Sequence, residues 1–351
     1  MARIAAVVTN PCAPDPRVLR EARWLVDAGH EVEVHAFDRQ EEHEPREVVD
    51  GVRLIRHRVG VTPFGGTVAT ARGIGKFRKA VQREIADVDI VHCHDADTLA
   101  VGIDSGTPTL FDMHDLHHTW VRMQNPGSWL RRRVSAVQQR KMLSQAVAAA
   151  AVITSSTGFQ TWLEERGIAA TVVENRPLRQ EPLPAPERLT VGYLGVIREA
   201  RSFELLKQAL DLMQPRPQVL IAGDGIAASA VADLLPQAEM PGPFTESELP
   251  GLMARISVMY ALYPPERGNI MQGALPAKMF EAAAFGRPTV VNSDCHMGEV
   301  CESEQLGRAV PWGDAQALAT ALTEVHGSTV ELQHDAERER TRFLEVVNRL
   351  L

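Results

Sequence analysis

The segment PLRQEPLPAPER, residues 177–188, holds four prolines in twelve positions. Proline fixes φ and lacks an N–H, so such a stretch continues neither a helix nor a central strand and reads as a linker. On both sides of it, short apolar runs alternate with helical patterns, the signature of α/β layers built on parallel sheets. Upstream, RIAAVV at residues 3–8 is a buried strand, followed by the loop TNPCAPDP and a helix with Val18, Ala22, Leu25 and Val26 on one face and Gly29 as its stop. The alternating EVEVHAF at 31–37 is the next strand, and further runs at 52–55, 90–92, 109–111, 152–153 and 171–173 complete a doubly wound half. Downstream the pattern restarts, with strands at 189–194, 218–222, 258–262 and 288–292 and helices at 203–213, 227–235 and 277–285. The expected organisation is an N-terminal Rossmann-like domain at 1–178, a linker at 179–188, a second Rossmann-like domain at 189–329 and a C-terminal helix at 330–351.

The 351 residues suit two domains of ordinary size. With 37 Lys+Arg against 45 Asp+Glu the net charge is -8, which argues against a general nucleic-acid binder and confines any anion site to a local pocket. Cys12, Cys93, Cys295 and Cys301 fall singly, the usage of a reducing compartment rather than of a disulfide framework or zinc site. No apolar run approaches the roughly 18 residues of a membrane span, and the opening apolar run is too short for a signal-peptide core. The expected location is cytoplasmic. Peripheral attachment at the inner membrane face stays open through WLRRRVSAVQQRKM at 129–142, a basic and partly amphipathic helix more simply read as a solvated face.

In open parallel sheets ligands bind beyond the carboxyl ends of the strands, so two such domains define an interdomain cleft and point to strand-to-helix loops. In GNIMQGALPAKMFEAAAFGRPTVV at 268–291, a glycine-containing loop lets backbone N–H groups approach an anion at a helix start, Pro276 suits the first turn, and Lys278 and Glu281 follow. A diphosphate and a ribose diol fit this set; two solvated charges on a surface helix are the plainer alternative. No G-x-G-x-x-G follows the first strand, which disfavours a dinucleotide-dependent oxidoreductase. The five histidines of HCHDADTLAVG from His92 and FDMHDLHH from Phe111 match no zinc spacing, and no metal is expected.

The P-x-K-x-x-E-A-x-A-x-G-x-P-x-V-V pattern from Pro276 resembles the donor-site segment of family 4 GT-B glycosyltransferases. The resemblance implies two Rossmann-like domains facing a cleft, a nucleoside-diphosphate sugar as donor, no cofactor, a hydroxyl acceptor (saccharide, lipid-linked or natural product), and transfer with retention. It implies donor contacts from Gly273, Ala274, Leu275, Pro276, Met279 and Glu281, with Lys278 on the diphosphate. The first of the family's paired glutamates is absent, Gly273 standing in its place; the donor sugar is then held differently, or Glu266 reaches in from the same loop. VGYLGVIREARSFELL at 191–206 resembles the turn that opens the donor domain, with Gly195 in the turn and Arg201, or else Arg198, as the basic residue on the diphosphate. IAGDG at 221–225 resembles the next glycine turn, with Gly223. In the N-terminal half His114 matches the histidine placed near the reacting sugar, and Asp15, Arg17 and Asp95 fall on the acceptor side. His114, Arg201 and Lys278 are the expected catalytic set. A sugar-nucleotide epimerase and a non-catalytic partner of the same architecture are the competing readings, the second favoured by the missing glutamate.

Overall fold

The computed structural model describes residues 1–63, 68–123, 125 and 127–351. The chain divides into two compact units, Met1–Glu174 with Arg338–Leu351, and Asn175–Glu337.

The first unit is built on an eight-stranded sheet: β1 Arg3–Val8, β2 Glu31–Phe37, β3 Arg46–Val49, β4 Val52–His57, β5 Ile90–His94, β6 Thr109–Met113, β7 Ala151–Thr154 and β8 Thr171–Val172, in the order β3-β4-β2-β1-β5-β6-β7-β8. All pairings are parallel except β3 with β4. Central strands β5 and β6 are buried at every position, as expected where helices cover both faces. β3 escapes the apolar-run reading because REVV is mostly exposed, charged edge sequence. The first helix, Pro16–Asp27, starts as its sequence dictates: Asp15 caps it by accepting from the Val18 N–H at 3.2 Å, and Pro16 sits where no N–H is needed.

The second unit carries a six-stranded parallel sheet, β9 Thr190–Leu194, β10 Gln218–Ala222, β11 Glu239–Gly242, β12 Val258–Ala261, β13 Thr289–Asn292 and β14 Gly307–Val310, in the order β11-β10-β9-β12-β13-β14. Strand order reverses direction between β1 and β5 in one sheet and between β9 and β12 in the other. These switch points, at the carboxyl ends of the strands, are where open α/β sheets leave room for ligands. Both halves are the α/β, largely parallel layers that the sequence predicts.

The proline-rich segment packs as part of the second unit. Arg287, fully buried, donates to the Leu183 and Pro184 carbonyls at 2.9 and 2.7 Å and to that of Met253 at 2.9 Å. Arg176 forms a two-pronged pair with Glu304, both bonds 2.6 Å, and lies 4.0 Å above the Phe280 ring. The unit division therefore falls at Glu174, ahead of the position 178 drawn from sequence. The last helix spans Ala336–Leu350 rather than starting at 330, and from Arg338 onward it belongs to the first unit. Buried Phe343 packs there against Trp24 and His92, with ring centroids at 5.8 and 5.5 Å, and Glu339 accepts from the Glu174 N–H at 2.8 Å.

Candidate active site

At the switch point of the second sheet, β9 is followed by Gly195, whose φ of +131° turns the chain away and whose N–H donates to the Ala222 carbonyl at 2.9 Å. The loops after β9 and β10 touch so closely that side chains are excluded: a Cβ on Gly223 would lie 2.0 Å from the Gly195 carbonyl oxygen, and one on Gly225 2.2 Å from that of Ile197. Gly223 thus serves to press two backbones together. The β12 side supplies the loop with Gly273 at φ +117° and then the helix Ala277–Ala284, for which Pro276 is the cap rather than the first helical residue.

Lys278 lies in the first turn of that helix. Its side chain is half-buried, yet its ammonium is enclosed, has no hydrogen-bond partner among the described residues and stands 3.2 Å from the centroid of the Tyr193 ring. Burial pushes Lys278 down to about 7; Glu281 opposes this, and Arg267 and Arg198 add to it. Leu275 and Met279 pack into an apolar cluster with Phe280, so only their backbone is available to a ligand.

The arginines separate. Arg201 opens the helix Arg201–Asp211, half-exposed, with Nη1 2.6 Å from Glu266 Oε2 and its guanidinium 6.0 Å from the Trp312 ring. Glu266 therefore pairs with Arg201. Arg198 and Arg267 are the arginines whose charge reaches Lys278. Arg267, which the sequence reading passed over, is 8% exposed and lies 5.3 Å from the Tyr263 ring. Its signal was present: an arginine directly ahead of the glycine-containing loop.

In the first unit, the ends of β1, β5 and β6 bring together a dense polar cluster. Asp112, fully buried, accepts from Arg17 Nε and Nη2 at 2.8 and 2.7 Å and meets His114 Nε2 at 2.7 Å and His94 Nδ1 at 3.2 Å. Arg17 also donates to the Val173 carbonyl at 2.8 Å and contacts Glu21 at 3.2 Å. Asp95, in a left-handed backbone conformation, accepts from the His114 N–H at 3.1 Å and faces His114 Nδ1 at 3.5 Å and His117 Nε2 at 3.2 Å. Burial alone would discharge His114, but Asp112 and Asp95 outweigh it and hold the imidazole up at about 9. The same contest, with Asp95 the main partner, lifts His117 to about 10. Asp112, despite burial, is held well below the usual carboxylate range, mainly by Arg17. Of the residues expected on the acceptor side, Arg17 is 5% exposed and spent within the domain, and Asp15 caps its helix and accepts from Asn10 Nδ2 at 2.7 Å. Asp95 and His114 remain partly open, each 16% exposed.

Two family models account for most of the chain: Glycosyl transferase 4-like domain over residues 13–178, and Glycosyl transferases group 1 over residues 188–327. The chain belongs to the family 4 type of GT-B glycosyltransferases. Solved structures share the fold of this glycosyltransferase at low identity. Sucrose-phosphate synthase from Thermosynechococcus elongatus is 16% identical with a TM-score of 0.75, covering 98% of this chain and 94% of its own. Anabaena HepE in complex with UDP is 14% identical with a TM-score of 0.71, covering 99% and 100%. The lipopolysaccharide outer core galactosyltransferase WaaB is 13% identical with a TM-score of 0.62, covering 99% and 98%. No curated protein sequence matches the chain.

Glu21, His92, His94 and Asp112 in this glycosyltransferase place four metal-capable atoms within 4.8 Å of one another. The cation among them is already Arg17, hydrogen-bonded to both oxygens of Asp112 and 3.2 Å from Glu21 Oε1. Burial also raises Glu21 to about 8, toward its neutral acid form. The set is therefore neutralised by a guanidinium and a proton and fits a metal ion poorly. Surface hollows of about 370 and 430 Å³ in the second unit are lined by none of the expected site residues.

Proposed function

We propose that this glycosyltransferase moves a sugar from a nucleoside-diphosphate sugar to a hydroxyl acceptor with retention at the anomeric carbon. The observation that carries the donor side is the enclosed ammonium of Lys278, without a hydrogen-bond partner among the described residues and with Arg198 and Arg267 adding to the positive field. A donor diphosphate supplies the hydrogen-bonding partner that the Lys278 ammonium lacks among the described residues. As the bond from anomeric carbon to diphosphate oxygen breaks, its electron pair leaves on that oxygen; Lys278 and Arg198 stabilise the growing charge, and Arg201 joins them by leaving Glu266. The acceptor oxygen attacks the face the diphosphate leaves, and its proton passes to the released phosphate oxygen. Glu281 takes the ribose hydroxyls in this reading, and Gly195, Gly273, Ala274 and Pro276 present backbone groups.

On the other unit His114 acts as an imidazolium, oriented by Asp112, with Nδ1 held only at 3.5 Å by Asp95 and so able to turn to a sugar hydroxyl. The four buried free cysteines support a cytoplasmic setting. No helix among the described residues is long and apolar enough to cross a membrane. Trp129, Leu130 and Val137 on the basic helix are exposed, but its apolar and charged residues are not segregated onto separate faces, which supports a solvated surface rather than membrane contact.

The test is thermal stabilisation by UDP, GDP, dTDP, ADP and their sugars, since a ligand that binds only the native state raises its midpoint. The UDP and UDP-glucose complexes of Anabaena HepE put the uridine nucleotides first. A shift with one nucleotide that disappears in Lys278→Ala supports the donor site; no shift with any nucleotide overturns it.

A further inference from the structure

Among the described residues, the aromatic ring under Lys278 belongs to β9, on the opposite side of the switch point from the lysine's own helix. Tyr193 is 6% exposed and fixed at both ends. Its hydroxyl donates to the Val196 carbonyl at 2.8 Å, tying it to the turn it precedes, and Phe203 packs edge-on behind it with ring centroids 4.9 Å apart. The ammonium 3.2 Å from its centroid makes no hydrogen bond to any described residue. A Cβ on Gly195 would come within 3.6 Å of the same nitrogen, so the glycine turn, the ring and the ammonium form one contiguous set.

We propose that Tyr193 is a positioning residue for glycosyl transfer: its ring face seats the Lys278 ammonium beside the Gly195 turn, keeping the cation in place until the donor diphosphate takes it. This rests on the reading of Lys278 as the diphosphate ligand. A bare ammonium in a dry site would otherwise swing to solvent or lose its proton. The ring quadrupole is an attractive partner that, unlike a carboxylate, does not compete with an incoming anion. The other charges that bear on Lys278 are Glu281 on its own helix, Arg198 in the turn after β9 and Arg267 ahead of the Gly268–Met271 helix. Two of these three disfavour the cation, so the ring offsets them in holding it.

The experiment compares donor KM and the pH profile of kcat/KM for wild type, Lys278→Ala, Tyr193→Leu and Tyr193→Phe in the full chain, with folding checked by circular dichroism. Losing the ring face should raise donor KM by roughly ten- to thirtyfold in Tyr193→Leu, the scale of a desolvated cation–π contact. It should also move the alkaline limb of kcat/KM to lower pH, because the protonated lysine loses a stabilising partner. Tyr193→Phe keeps the face and should restore both the KM and the limb. If Lys278→Ala weakens donor binding but Tyr193→Leu leaves the limb in place, the inference is wrong and the donor site stands. If Lys278→Ala binds donor like wild type, the donor site itself is wrong. Equal losses in the Leu and Phe variants without a change of limb would reduce Tyr193 to packing. Should the Leu variant fail to fold, Tyr193→Met carries the same two readouts.

Discussion

Arg17 grips Asp112 through Nε and Nη2 at 2.8 and 2.7 Å, with the two side chains 5% and 0% exposed. Their partnership spans the fold from the first helix to β6 and leaves Arg17 no free face for substrate. Removing one partner of such a pair strands the other charge. Arg17→Ala is therefore expected to cost about 3–5 kcal/mol in urea unfolding, and Arg17→Lys to recover only part of it, since an ammonium does not reproduce the fork. A variant of nearly wild-type stability that had lost activity would instead place Arg17 at the acceptor.

His114 should make stability depend on alkaline pH. Its folded value of about 9 lies above the ordinary 6.5, so the folded protein binds the proton more tightly than the unfolded chain. The contribution is fully present below about 6.5 and is lost as pH rises through about 9. Glu21 and His117 are raised too and slope the same way, so the comparison is with His114→Gln. The stability gap between wild type and variant should narrow between pH 6.5 and 9; a constant gap would contradict the carboxylate cradle of Asp112 and Asp95.

Donor binding should take up a proton above neutrality. With Lys278 lowered to about 7 in the empty site, the amine is largely neutral at pH 8.5, and a diphosphate beside it restores the charge. Calorimetric titrations of nucleoside diphosphate at pH 8.5, in buffers of different ionisation enthalpy, should show uptake approaching one proton in wild type and none in Lys278→Met. Equal uptake in both would move the coupled group elsewhere.

Gly223→Ala and Gly225→Ala should each prise apart the turns after β9 and β10, because the new Cβ would sit 2.0 or 2.2 Å from a backbone oxygen and both residues have positive φ. The expected result is a markedly lower melting midpoint together with loss of nucleotide binding. Gly242→Ala serves as comparison: it too has positive φ, but its Cβ would meet nothing within 4 Å, so it should be the milder change.

The two α/β layers were legible because buried parallel strands such as IVHCH and TVGYL are short, apolar and separated by helical periodicity. Three edge strands were not: REVV, EMPG and GRAV of β3, β11 and β14 interrupt their few apolar residues with charges, proline or glycine and present no apolar run. Lys278 could be picked out because its helix start has local meaning. That Arg17 is held by Asp112 was not legible because the two lie 95 residues apart, a distance over which no spacing rule operates. Likewise Glu339 meets the Glu174 backbone across 165 residues, so nothing local to the last helix announces where it docks. Arg201 and Arg198 could not be ranked from sequence, since the partner that holds Arg201, Glu266, lies 65 residues away.

Because the chain leaves the first unit at Glu174 and re-enters it at Arg338, the second unit is an insert, and its host is a discontinuous body closed by its own last helix. The insert, Asn175–Glu337, can be excised as one contiguous polypeptide. The host has no such single piece: cut after Glu174, it loses Phe343 from Trp24 and His92 and the Glu339 carboxylate from its own backbone. Two crossings of chain, not one, tether the insert, so a nick within residues 175–188 would leave both halves joined through the second crossing.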